Sequence, residues 1–381
     1  MDLSEAEGGL TTSTRDPQDL ARRLEGWLAG VLPADSRPAV SEVTSPASNG
    51  MSSETLLITL RTHEHGNEQT TSCVARIEPE LDKVPVFPRY DLAQQFETMR
   101  LVAEHSTAPV PPTLWFEEDP QVLGAAFLVM GRMNGAAPPD ILPYTFGECW
   151  VTEGSAADLT KLEHSAVSAL AAIHAIRPED HDLSFLEPVP VTRPIAGATA
   201  LERHLDWWDQ YRAWGTASAA SPLLDACFEW LRSTRPDTND AALSWGDSRI
   251  GNMLFEDFEV TAVLDWEMAG VAPPEVDLGW LTYMHRFFQD LAEDMGMAGL
   301  PAMLTTTAVL DEYRAIAGHE PGDLRWYQAY AAMRHGVIMR RVTERAVLFG
   351  QAVRPEDPDD MILHRATLKA MLDGSYWNRL P

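Results

Sequence analysis

Between Leu243 and Asn252 the chain reads LSWGDSRIGN, and after a short gap AVLDWEMAG follows. An apolar run breaks into Gly246-Asp247, Asn252 stands five residues beyond that aspartate, and Asp265 ends the next apolar run with Glu267 two residues on. Side-chain oxygens of this kind can serve two ends. Asp, Asn, Ser and Gly all favour turns, through local side-chain hydrogen bonds or a permissive backbone. The same oxygens are hard ligands for a divalent cation beside phosphate. The second use requires that the surrounding elements bring them to one edge.

Around these residues, NMLFEDFEVTAVLDW alternates about a short turn, so the stretch over residues 242–264 predicts a small hairpin with the polar residues on loops at its edges. The flanking segments LTKLEHSAVSALAAIHAI, LERHLDWWDQYRAW, SPLLDACFEWLRS, DLGWLTYMHRFFQDLAEDM and LRWYQAYAAMRHGVIMRRVTERAVLF repeat apolar positions every three and four residues. That period predicts amphipathic helices. Upstream, DPQDLARRLEGWLAGVL places Asp16 as an N-cap, Pro17 at the first helical position and Leu20, Leu24, Leu28 and Val31 on one face. ETLLITLRT and TTSCVARI read as two strands joined by the polar turn HEHGNEQ, with His63 and His65 in the turn, where solvent exposure outweighs metal binding for want of a third ligand. The helical stretch DLAQQFETMRLVAEHS, the connector TAPVPPTLW and the strand AAFLVMGRM complete a small mixed lobe. The expected organisation is a loose tail over residues 1–15, a lobe over 16–135 and a mainly helical lobe over 136–381, an α+β chain. The acidic EDPDD at residues 356–360 reads as a surface loop.

At 381 residues the chain exceeds one compact core, given a prior of about 150 residues per domain. Acidic residues number 57 against 29 basic, a net charge of -28, which repels nucleic acid and anionic lipid and suits cationic or neutral partners. Cys73, Cys149 and Cys227 are too few and too scattered for a disulfide framework, and no C-x-x-C pair proposes zinc. The acidic start MDLSEAEGGLTTSTRD lacks the apolar run of a secretory signal, and no stretch of about 18 apolar residues predicts a membrane span. A soluble, cytoplasmic protein is expected.

The order strand, Gly-Asp, four residues, Asn, then an apolar strand ending in Asp resembles the base and metal arrangement of kinases. From about residue 40 to 350 the chain resembles the aminoglycoside phosphotransferase (choline kinase-like) family, whose two-lobed fold is similar to that of protein kinases. The resemblance rests on SPASNGMSSETLLITL, CVARI, AFLVMGRMNG, WGDSRIGN, VLDWEMA and PPEVDLGWL. It implies ATP and Mg2+ as cofactors and phosphate transfer to a hydroxyl of a small molecule, aminoglycoside-like or another alcohol. Asp247 would face the acceptor hydroxyl, Asn252 and Asp265 would hold magnesium, and Glu267 is a further metal or water-holding candidate.

Other positions carry over from the same resemblance. Arg76 stands where the family more often has a phosphate-binding lysine, and a guanidinium can grip phosphate oxygens in pairs. Its helix partner would be Gln95 or Glu97. Ser48, Asn49 and Gly50 would form the hairpin tip whose amides meet the phosphates, though a plain turn fits equally and no G-x-G-x-x-G is present. Met130 to Arg132 would offer backbone hydrogen bonds to adenine. Trp245 replaces a histidine that packs before Gly-Asp, and Asp277 would brace the catalytic loop or serve as a helix-start carboxylate. Trp207, Trp208 and Trp214 line an acceptor pocket or are packing. Because Arg76 and Trp245 depart from the family pattern, a nucleotide-binding regulatory or scaffold protein with little turnover is the alternative.

Overall fold

The structure is a computed structural model that describes residues 15–44, 54–64, 66–79, 85–140 and 142–379. Ser48, Asn49 and Gly50 lie outside the described residues, as do His65 and residues 1–14. The chain forms two compact units, one of Met1–Arg100 with Pro111–Met133, the other of Leu101–Val110 with Asn134–Pro381.

In the smaller unit, α1 (Pro17–Val31) begins as the sequence predicts, with Asp16 accepting from the Gln18 N–H at 3.0 Å and Pro17 where a missing N–H costs nothing. Leu20, Leu24 and Leu28 are buried, but Val31 is 49% exposed because the helix ends there and turns its last residue outward. Then come β1 (Ala39–Thr44), β2 (Glu54–Glu64), β3 (Asn67–Ile77), α2 (Leu92–His105), β4 (Thr113–Glu117), the short α3 (Pro120–Leu123) and β5 (Phe127–Gly131). The strands make one antiparallel sheet in the order β1-β2-β3-β5-β4. Alternate residues of a strand share a face, so Leu56, Ile58 and Leu60 join Cys73, Ala75 and Ile77 in packing against the leucines of α1. Each such side chain contributes about 1.5–3 kcal/mol when fully buried. Three expectations change here. His63 belongs to β2, opposite Glu68, because the hairpin pairing runs to Glu64. Arg15 is no part of a loose tail, since its guanidinium donates to Glu54 at 3.0 Å and to the Glu78 carbonyl at 3.1 Å. The proline-rich connector contains β4, which pairs with β5 from Thr113 onward.

The larger unit holds α4 (Ala156–His174), α5 (Ala200–Gly215), α6 (Pro222–Thr234), β6 (Ala242–Ser244), β7 (Met253–Glu256), β8 (Glu259–Val263), β9 (Gly270–Ala272), α7 (Glu275–Asp294), α8 (Thr306–Ala317), α9 (Leu324–Leu348) and α10 (Arg365–Asp373). Ser155 with Asp158 and Thr199 with Glu202 form reciprocal caps that fix where α4 and α5 start. Buried residues surround α7, including Trp280, Leu281 and Phe288, so it is an interior helix. Its neighbour α9 approaches so closely that a Cβ at Gly279 would stand 2.7 Å from the Tyr327 Cβ. The sequence reading missed α8 and α10. It also took EDPDD as surface, yet Asp359 is buried, accepting from the Ser221 hydroxyl and, at 3.2 Å, from the Leu223 N–H at the start of α6. Among the described residues no helix is long and apolar enough to cross a membrane.

Candidate active site

The site begins with the strand that enters it. β6 pairs with β9, Leu243 opposite Val271 and Ser244 opposite Gly270, rather than with the hairpin over residues 242–264 as the sequence reading had it. At Gly246 the chain turns with φ at 92°, and a Cβ there would stand 2.1 Å from the Met268 carbonyl oxygen. Only glycine fits both constraints. Gly246→Ala is therefore expected to unfold the loop, read as a lower melting temperature with the helix content of the remaining fold retained in circular dichroism.

Asp277, in the first turn of α7, organises this loop. Its carboxylate is wholly buried and accepts from the Trp245 N–H at 2.7 Å, the Gly246 N–H at 2.9 Å, the Ser244 hydroxyl at 2.9 Å and His174 Nε2 at 3.0 Å. Burial alone would raise its pKa, but the His174 contact and these donors outweigh it and hold the carboxyl below the usual range. Of the two sequence-level readings, the structure supports the brace. Trp245 is fully buried and donates its indole N–H to the Leu264 carbonyl at 2.9 Å, a packing and hydrogen-bonding role.

Asp247 follows. Its Oδ1 accepts from Trp280 Nε1 at 2.7 Å and from Arg249 Nε at 3.1 Å, and Arg249 also pairs with Asp140. The guanidinium is held firmly charged, for although burial opposes the charge, the Asp247 and Asp140 carboxylates more than offset it. Five residues on, Asn252 closes a single 3₁₀ turn and is 7% exposed. Its side-chain Nδ2 donates to the Asp247 carbonyl at 3.1 Å, and its own carbonyl accepts from the Leu264 N–H at 2.9 Å. The β7-β8 hairpin, with Met253 opposite Val263, returns the chain to that point, and Asp265 follows at once. Asp265 adopts a left-handed φ of 60°, uncommon outside glycine. Consecutive hydrogen bonds thus link Asp247 to Asn252, and Asn252 to the residue before Asp265. Glu267 lies half-buried two residues further on.

In the smaller unit, Arg76 is half-buried on β3, between the core residues Ala75 and Ile77 in sequence and so on the other sheet face. Of its two candidate helix partners, Gln95 is 3% exposed, whereas Glu97 points outward and pairs with Arg100. Met130 is buried in β5, and the Gly131 and Arg132 N–H groups donate to the Pro112 carbonyl at 2.8 Å and the Ser72 carbonyl at 2.9 Å. Sheet pairing therefore uses two of the donors expected to meet adenine.

A family model described as "Phosphotransferase enzyme family" matches residues 64–319, about two thirds of the chain, including Arg76, Asp247, Asn252, Asp265 and Asp277. The chain belongs to the phosphotransferase enzyme family. Curated relatives of this chain include acyl-CoA dehydrogenase family member 11 of Homo sapiens, 25% identical over 285 residues, 69% of this chain and 34% of that protein. Acyl-CoA dehydrogenase family member 10 of Mus musculus is 26% identical over 349 residues, 88% of this chain and 29% of that protein. The chain thus spans about a third of the length of these relatives. Among solved structures, one from Ralstonia eutropha, provisionally described as an aminoglycoside phosphotransferase, aligns with a TM-score of 0.62 and 19% identity over 94% of this chain and 98% of that one. A thermostable mutant of aminoglycoside phosphotransferase APH(4)-Ia, in a ternary complex with AMP-PNP and hygromycin B, aligns with a TM-score of 0.52 and 16% identity, covering 92% and 98%. The fold is the α+β, kinase-like fold of these proteins.

Four residues of the candidate site escaped the sequence reading: Arg249, Asp140, Trp280 and His174. Arg249 stood inside the quoted motif, and its position two residues after Asp247 was a usable signal. Trp280 likewise stood inside the quoted PPEVDLGWL, three residues after Asp277, whereas His174 and Asp140 come from distant segments, 103 residues from Asp277 and 109 from Arg249, with no local pattern to mark them. The tryptophans of α5 prove to be packing. Trp208 is 2% exposed under the Arg334 guanidinium, and Arg341 lies over the Trp214 ring at 4.3 Å. Elsewhere in the larger unit a cleft of about 250 Å³ is lined by His285, Arg286, Gln289, Gln328 and Trp377, without contribution from Asp247, Asn252 or Asp265.

Proposed function

We propose that this phosphotransferase moves the γ-phosphate of ATP, with magnesium, to a hydroxyl of a small molecule. The observation that carries the reading is the hydrogen-bonded chain from Asp247 through Asn252 to the Leu264-Asp265 step. Asp247 orients the acceptor hydroxyl and takes its proton, its carboxylate held in place by Trp280 Nε1 and Arg249 Nε. Magnesium fits the donor set: the Asn252 amide nitrogen is committed to a carbonyl, which leaves Oδ1 for a cation, and Asp265 brings carboxylate oxygens of the kind this ion takes. Bound there, it would offset the negative charge of the nucleotide's phosphates. Glu267 belongs to the same edge as a further metal or water ligand. In the smaller unit by itself, Arg76 is assigned to phosphate and Met130 to Arg132 to adenine, whose backbone contacts would not use the Gly131 and Arg132 N–H groups, both already donating.

Two considerations bear on the acceptor. The net charge of -28 suits a cationic or neutral alcohol such as an amino sugar. The curated relatives bear acyl-CoA dehydrogenase names, which suggests a hydroxyacyl thioester. A screen that follows ADP release by mass spectrometry should therefore include aminoglycosides, choline analogues, macrolides, sugars and hydroxyacyl-CoA. Release with one class is expected, and release with none would favour a nucleotide-binding scaffold. ATP with magnesium should stabilise the wild type by about 2.7 kcal/mol at a hundredfold excess over Kd, read as a higher melting temperature. Asp265→Asn should lose most of the magnesium-dependent part; an undiminished shift would remove Asp265 from the metal site.

A further inference from the structure

A second cluster of ligand-type side chains lies in the larger unit, apart from Asp247, Asn252 and Asp265. Asp240 precedes β6, Glu275 opens α7 and His319 follows α8, and one ligand atom from each lies within 4.8 Å of the others. Each carboxylate divides its oxygens between two tasks. Asp240 Oδ1 accepts from Arg177 and from the Ala241 N–H, while Oδ2 is buried without a hydrogen bond. Glu275 Oε1 accepts from the Gly322 N–H at 3.0 Å, while Oε2 is buried without one. Glu275 itself is only 7% exposed. His319 Nε2, likewise buried without a hydrogen bond, lies 3.5 Å from Asp240 Oδ2 and 3.5 Å from Glu275 Oε1.

Buried polar atoms left in this state are costly, at about 1–3 kcal/mol each, and His319 Nε2 and Asp240 Oδ2, both unbonded and facing each other beside Glu275 Oε1, call for a common partner. A protonated imidazole is the simplest alternative, but it would donate its Nε2 proton to a carboxylate, and 3.5 Å exceeds the usual hydrogen-bond length of about 2.7–3.2 Å. Spacing favours a metal instead. Nitrogen and oxygen donors held tetrahedrally at about 2.1 Å from an ion stand about 3.4 Å apart. We propose that Asp240, Glu275 and His319 form a binding site for a divalent transition metal of the zinc class, distinct from the site assigned to magnesium.

One imidazole nitrogen with two carboxylates selects such an ion over magnesium, which prefers oxygen alone. The half-buried His319 and Asp240 side chains, 25% and 23% exposed, give an ion access from solvent. The ion would tie together three segments: the approach to β6, the helix start that carries Asp277, and the link from α8 to α9. It would thus stabilise the support of the catalytic loop without touching the reacting groups. The proposal stands independently of the phosphotransfer reading.

The test uses the full chain, stripped with EDTA and then dialysed against zinc in the presence of excess magnesium, with bound zinc counted by elemental mass spectrometry. One zinc per chain is expected in the wild type and in Asp265→Asn, and almost none in His319→Ala. His319→Gln, which keeps polarity at the position, should lose the zinc as well, and metal-free melting curves of both variants will show whether they fold. In the cobalt-loaded wild type the visible d–d bands of a four-coordinate site should appear, and they should vanish in folded His319→Gln. No retained zinc in the wild type, or equal zinc in the wild type and the folded His319 variants, would overturn the proposal. Zinc lost from Asp265→Asn but kept by the His319 variants would overturn it too, by placing the ion at the other site.

Discussion

Asp247→Asn is expected to lower the rate of phosphate transfer by about 10²–10⁴-fold while leaving the Kd for ATP nearly unchanged. The exchange preserves shape: Oδ1 of an asparagine can still accept from Trp280 Nε1, so the loop keeps its conformation. What is lost is the charge that makes the group a proton acceptor. Arg249 keeps Asp140 as a partner, so its guanidinium is not stranded. Single-turnover kinetics on the acceptor found by the screen, beside calorimetry with ATP, separate the two quantities. Wild-type turnover in the variant would remove Asp247 as the base. A matched loss in ATP affinity would instead mean that the loop had moved.

Asp277→Ala is expected to lower stability by about 3 kcal/mol or more, because two backbone N–H groups, a hydroxyl and an imidazole lose a buried acceptor and each such loss costs about 1–3 kcal/mol. That is a fall of about 6–12 °C in melting temperature for a unit of this size. Activity should fall as well, since Trp245 and Gly246 lead directly into Asp247. The same carboxylate sets a pH dependence. Its folded pKa is depressed, so the stability it contributes is complete above the ordinary carboxylate range and is lost as pH falls through the depressed value. Asp277→Asn should therefore be less stable than the wild type at neutral pH, with the gap narrowing in acid. Denaturant titrations at several pH values will show this, and a gap that widened in acid would reverse the assigned sign.

Local patterns were legible where a residue's neighbours in sequence are its neighbours in space. The cap and proline of α1, the β2-β3 pairing and the β7-β8 hairpin all follow from spacing within a few residues. Hence the convergence of Asn252 with the Leu264-Asp265 step could be anticipated, as the hairpin between them is a local device. Where alternation faded, the reading failed: β6 is three residues long and finds its partner in β9 across the intervening hairpin. Asp359 looked like surface because acidic runs usually are, and only the start of α6 packed against it shows otherwise.

The motif's order determined the family and the identity of the candidate base and metal ligands, for these depend on residue types at short, regular spacing. Tertiary structure decided between the two readings of Asp277 and alone supplied its partner His174, the Asp140 partner of Arg249, the Trp280 contact on Asp247 and the meeting of Asp240, Glu275 and His319. The physical reason is that a buried hydrogen bond or ion cluster depends on which distant segments the core packs together, and no period or spacing in the chain encodes that choice locally.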